Sequence, residues 1–156
     1  MEHTSRRMNL RLLVVGKAGK DFRDYEASMR KRLQGSHQFD IVELPESRAK
    51  QPNQIKADEA KTILNAAKPD FILFDERGKT LSSMQWSEFF KQQVGNASID
   101  FVIGGAAGVH DDVRSKAHAI WSLSKLTLPH QLARVLVVEQ LYRAFSIIQG
   151  HPYHKI

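Results

Sequence analysis

Residues 131–148 read QLARVLVVEQLYRAFSII, and the helix this stretch predicts carries apolar side chains on nearly every side: Leu132, Val135, Leu136, Val137, Val138, Leu141, Phe145 and Ile148. A helix without a polar face has to be enclosed, by other elements or by a second copy of the chain, and symmetric pairs are the commonest oligomers. This requirement leaves Arg134, Glu139 and Arg143 within or beside buried surface. An ion pair is the expectation for Glu139. The Arg143 guanidinium instead suits a phosphate or an anionic base.

The rest of the chain supplies the enclosure. Short apolar runs at 10–15 (LRLLVV), 39–44 (FDIVEL), 71–74 (FILF), 99–103 and 118–123 read as strands. Helical patterns at 21–33, 53–67, from Ser82 onward and at 111–117 separate them. Strand alternating with helix is the mark of an α/β domain with a parallel-rich sheet flanked by helices. FILF is too continuously apolar for an edge strand, and residues 75–79 (DERGK) read as the loop after it. Ser82 and Gln85 form a capping-box pattern ahead of Trp86, Phe89 and Phe90. Their helical spacing makes these aromatics core rather than a base-stacking platform. With neither repeat nor linker, the reading is one domain over 8–156, preceded by a disordered extension at 1–7.

Charge and residue usage narrow the partners. The net charge of +6 and pI near 9.7 favour a polyanion. The absence of cysteine excludes disulfides and thiolate metal sites. No apolar run reaches the roughly 18–20 residues that cross a bilayer, and MEHTSRRM has no apolar signal core. A soluble, cytoplasmic protein is expected, with no membrane partner.

Three motifs invite a ligand. The strand at 101–103 runs straight into Gly104, Gly105 and Gly108, where backbone N–H groups can approach a ligand closely. The adjacent first pair departs from the dinucleotide fingerprint, and GKAGK after the first strand lacks the P-loop spacing. A second turn, Ser124, Lys125, Leu126, Thr127, Leu128 and Pro129, breaks just before the long helix. His130 either caps that helix or lies beside a ligand. The tail HPYH has a proline between its histidines, which forbids helical ligand geometry, so no metal is expected.

FVIGGAAG, SLSKLTLPHQLARVLVVEQLYRAF and HPYHK together closely resemble the RlmH family of SPOUT-class methyltransferases, over almost the whole chain from Met8. The resemblance implies an α/β knot, with a C-terminal trefoil and homodimers. It also implies S-adenosylmethionine held by Phe74, Asp75, Gly104, Gly105 and residues Ser124 to Pro129. The implied reaction is methylation of N3 of a pseudouridine in 23S ribosomal RNA, on the ribosome or its large subunit. Arg143 would then stabilise the base anion, His154 accept a proton or position the base, and Tyr153 pack against it. Ala107 stands where some relatives carry an acidic residue, so a loop carboxylate is not expected. The alternatives are a SPOUT enzyme acting on transfer RNA and a non-enzymatic RNA- or ribosome-binding α/β protein.

Overall fold

A computed structural model of the chain describes residues 7–93 and 97–155. Apart from Arg7, the expected N-terminal extension lies outside the described residues. Strands β1 (Asn9–Val15), β2 (Gln38–Leu44), β3 (Ile72–Thr80), β4 (Ser98–Ile103) and β5 (Ala119–Ser122) alternate with helices. The helices are α1 (Arg23–Gln34), α2 (Pro52–Ala66), α3 (Ser83–Lys91), α4 (Asp111–Lys116) and α5 (His130–Ile148). The strands form one sheet in the order β2-β1-β4-β3-β5, with every pairing parallel.

Alternation along each strand sends neighbouring side chains to opposite faces, and each face has its own core. Leu12, Val14, Phe74 and Phe101 pack with Met29 and Leu33 of α1, Trp86 and Phe90 of α3, and Val137, Val138 and Leu141 of α5. Leu13, Val15, Leu73 and Val102 face the other way, onto Ala60 and Ile63 of α2 and Val113 of α4. The aromatics around α3 are core, as their spacing predicts: Trp86 lies 5.7 Å from Phe74 and 5.2 Å from Trp121, centroid to centroid. Ser82 and Gln85 complete both halves of the capping box. β3 is interior, between β4 and β5.

Two expectations change. Residues 75–79 are not a loop after a strand but part of β3 itself. Phe74 and Lys79 both register with Trp121, so the four residues between them bulge out and the strand then resumes. Gly78 makes this possible, because a Cβ there would sit 2.5 Å from the carbonyl oxygen of Ile120. The second concerns α5. It packs between α1 and α3, and within the single chain no residue of the helix is fully exposed. A partner is therefore not needed to enclose it; what remains for one is a half-buried stripe through Leu132, Leu136, Arg143 and Ile147. The buried charges on α5 are paired. Arg134 donates to both oxygens of Glu26, at 2.8 and 2.9 Å, and to Glu43 at 2.9 Å.

Met8 is 1% exposed, and its N–H donates to Nδ1 of buried His37 at 3.2 Å. The His37 ring lies 3.9 Å from that of Phe145, under the last turns of α5.

Candidate functional site

Parallel sheets leave a crevice beyond the carboxyl ends of their strands, where loops rather than side-chain layers fill the space. Here that end holds a cavity of about 570 Å³. It is bounded by Phe74 to Arg77 of β3, Ile103 to Val109 after β4, Ser122 to Ser124 and Leu126 to Pro129 after β5, and His130 and Ala133 at the start of α5. Phe74, Asp75, Gly104, Gly105, Ser124, Leu126, Thr127, Leu128 and Pro129 thus share one wall system; Lys125 is not part of it. Turn chemistry shapes the 124–129 segment. The Ser122 hydroxyl donates to the Ser124 carbonyl at 2.7 Å, and the Leu126 N–H donates to the Ser124 hydroxyl at 2.9 Å. Leu126 is 72% exposed, an apolar side chain standing at the rim with nothing yet to cover.

The bulge in β3 accounts for the polar wall. It brings Asp75, Glu76 and Arg77 to the cavity, and Arg114 from α4 donates to Asp75 at 2.5 Å. His130 does not cap α5: Pro129 holds the cap position without a side-chain bond. The imidazole lines the cavity instead, with Nε2 buried and unpartnered among the described residues. Burial, followed by the charge of Arg134, pushes its pKa below the ordinary histidine value, against the pull of Glu46 and of the Gly104 and Val15 backbone. The ring is a polar part of the wall.

Gly105 lines the cavity and is also crowded from beneath: a Cβ there would lie 2.5 Å from Oε1 of Glu59 and 3.2 Å from Val15. Lys56 and Glu59 of α2 carry no motif that sequence reading detects. Only the crossing of α2 under the glycine loop brings Lys56 to the cavity wall and Glu59 behind it.

The three other expected site residues form a separate cluster. The tail folds back on α5 so that an Arg143 N–H donates to Nδ1 of His154 at 3.0 Å, since a guanidinium has nothing but donors. Arg143 also stands 4.7 Å over the Tyr153 ring and donates to Glu139 at 2.8 Å. Tyr153 meets Tyr142 edge-on at 4.8 Å. Burial, then the Glu139 charge, pushes the Tyr153 phenol up to about 12, so it stays protonated at neutral pH. With Nδ1 of His154 engaged as an acceptor, the neutral ring carries its proton on Nε2. In this arrangement it presents a donor rather than a base. None of Arg143, Tyr153 and His154 lines the cavity of its own chain.

Among the described residues, no cluster of three or more His, Asp or Glu side chains is arranged to hold a metal ion. No helix there is long and apolar enough to cross a membrane.

A solved structure titled as a probable methylase family protein from Haemophilus influenzae matches 96% of the chain and 71% of its own, with a TM-score of 0.51 at 16% identity, a likeness of fold. A protein of Clostridium acetobutylicum named ribosomal RNA large subunit methyltransferase H is 40% identical over 159 residues, covering 95% of this chain and all of its own. The protein of that name from Methylobacillus flagellatus is 38% identical over 154 residues, 95% of this chain and 99% of its own. The family model described as "Predicted SPOUT methyltransferase" matches residues 8–154, and on that match the chain belongs to the SPOUT methyltransferases.

Proposed function

We propose that the protein uses S-adenosylmethionine to methylate a base of large-subunit ribosomal RNA, with N3 of a pseudouridine as the target. The observation that carries this reading is the cavity at the carboxyl ends of β3, β4 and β5 in a member of a methyltransferase family. Its residues suit the cofactor. The backbone of Gly104 and Gly105 and the 126–129 segment can read an adenine edge, Leu126 and Leu128 can cover the ring, and His130 and Glu59 each hold a polar atom without a partner among the described residues. When bound, the cofactor supplies an electrophilic methyl on a sulfonium.

The remaining tasks fall to the chain itself. An imide nitrogen attacks poorly while protonated, so alignment and stabilisation of the base anion dominate; alignment alone can contribute roughly 7–11 kcal/mol. Arg143 stabilises that anion, Tyr153 packs against the ring, and His154 donates from Nε2 to a base carbonyl. The N3 proton leaves to bulk water before attack, so a positional mechanism of this kind needs no general base from the tail.

The working unit in this proposal is a homodimer in which the tail of one copy completes the cavity of the other. Its support is that the Arg143 cluster lies off its own cavity. In addition, the exposed Phe22 at the cap of α1, Tyr25 of α1 and Met84 of α3 sit on or beside the helices that flank α5. The dimer is expected to persist at nanomolar concentration, and sedimentation as a 17.8 kDa monomer would remove it. Methyl transfer to intact ribosomes, isolated large subunits and transfer RNA is the decisive assay. Incorporation into large-subunit RNA supports the reading, and incorporation into transfer RNA alone overturns its substrate. A protein that gives no calorimetric heat with S-adenosylmethionine is a binding module instead.

A further inference from the structure

Three buried side-chain polar atoms have no partner among the described residues, and two of them, His130 Nε2 and Glu59 Oε1, flank the glycine loop. Glu59 is the more unusual. It is 4% exposed, its Oε2 accepts the Ser47 N–H at 2.9 Å, and its Oε1 lies where a Cβ at Gly105 would come within 2.5 Å of it. Leaving a buried carboxylate oxygen without donor or cation is costly, and a site that keeps one has a use for its field.

We infer that Glu59 is a positioning residue that makes the cavity prefer a cationic ligand: through the glycine loop its charge favours the sulfonium donor over the neutral thioether left after transfer. This rests on the cofactor reading above. Because no proton or bond changes at Glu59, its contribution is purely a difference in binding between two ligands of nearly the same shape.

The neighbouring charges leave this role to Glu59. Asp75 is neutralised by Arg114. Glu76 and Glu46 are exposed, and their fields are screened by solvent. Lys56 and Arg77 line the cavity as cations, which would favour a ligand's carboxylate but oppose a sulfonium. A carboxylate shielded from water is thus the group there whose field reaches the cavity least weakened. An unscreened charge some 10 Å from a cation changes its binding constant by roughly tenfold at the effective dielectric of a protein.

The test is calorimetry of the full chain with S-adenosylmethionine, its amine analogue sinefungin, and S-adenosylhomocysteine. Glu59→Gln keeps the shape and the acceptor for Ser47, and removes only the charge. It should weaken both cationic ligands about tenfold relative to the thioether, while Glu59→Asp retains most of the preference. Equal weakening of all three, or an unchanged ratio, overturns the inference and leaves Glu59 as packing under Gly105. Should Glu59→Gln not fold, the unaltered protein still decides: failure to favour sinefungin over the thioether contradicts the proposal. A protein that binds none of the three overturns the cofactor reading itself, a result distinct from the others.

Discussion

The cavity end and the tail end of α5 are built in opposite ways. At the cavity, the 104–108 and 126–129 segments border open space, a large leucine stands uncovered, and two buried polar atoms lack partners among the described residues. At the tail, every group of interest is already matched: Arg143 to Glu139 and His154, Tyr153 to Tyr142, Tyr25 and Arg143. In the proposed reading, the first region takes its ligand without giving up contacts it already makes. The second must exchange its present partners before it can act on another molecule. A cofactor site and a substrate-handling site would differ in this way, since one binds a small constant ligand and the other a large transient one.

The sharpest way to break that distinction is to remove the tail. Deleting 151–156 should reduce methyl transfer at least a thousandfold and leave S-adenosylmethionine affinity within a few fold; full activity on ribosomes would make the tail mere packing. His154→Ala comes next. A general base is worth about 10²–10⁴ in rate, so a positioning donor should cost nearer the bottom of that range and leave the pH–rate profile unchanged in shape. Mixing His154→Ala with Leu126→Glu subunits should recover part of the activity if the two regions meet across a dimer, because one site per mixed dimer is then intact. Leu126 suits this use because its exposure spares the fold.

Smaller effects test the supports of each region. Gly78→Ala should lower stability by about 2–4 kcal/mol in urea titration, because its Cβ would strike the backbone of Ile120 and undo the bulge that forms the polar wall. Acid should act at the tail end. Burial, then the charge of Arg7, lowers His37 to about 4, below its ordinary 6.5. The neutral ring therefore stabilises the fold fully above pH 6.5, and this contribution is lost as pH falls from 6.5 toward 4. Its size is at most about 3 kcal/mol. Hydrogen exchange at pH 4.5 should show the amides near Phe145 opening before those of β4, and equal protection at both places would contradict it. Ser82→Ala should cost about 1 kcal/mol through the lost cap and disturb neither region's ligand binding.

Much of this was legible in the chain because it rests on local order. Apolar runs and helical spacing located all five strands and all five helices of the described residues, to within a few positions for nine of them, and the Ser82–Gln85 box marked the start of α3. The exception was β3. Its polar half DERGK has no strand pattern, since a bulge held by contact with Ile120 replaces alternation with a tertiary restraint. Glycine and turn residues likewise announced the 104–108 and 124–129 segments. What the sequence could not carry was what lies behind them. Gly105 looked like a place for a ligand, and what crowds it from the other side belongs to Glu59, 46 positions earlier on α2. Arg134 was expected within or beside buried surface, but nothing local names its partners, Glu26 on α1 and Glu43 on β2. The periodicity of one helix states which side is buried, but only the packing of helices against a sheet decides which distant charges meet there.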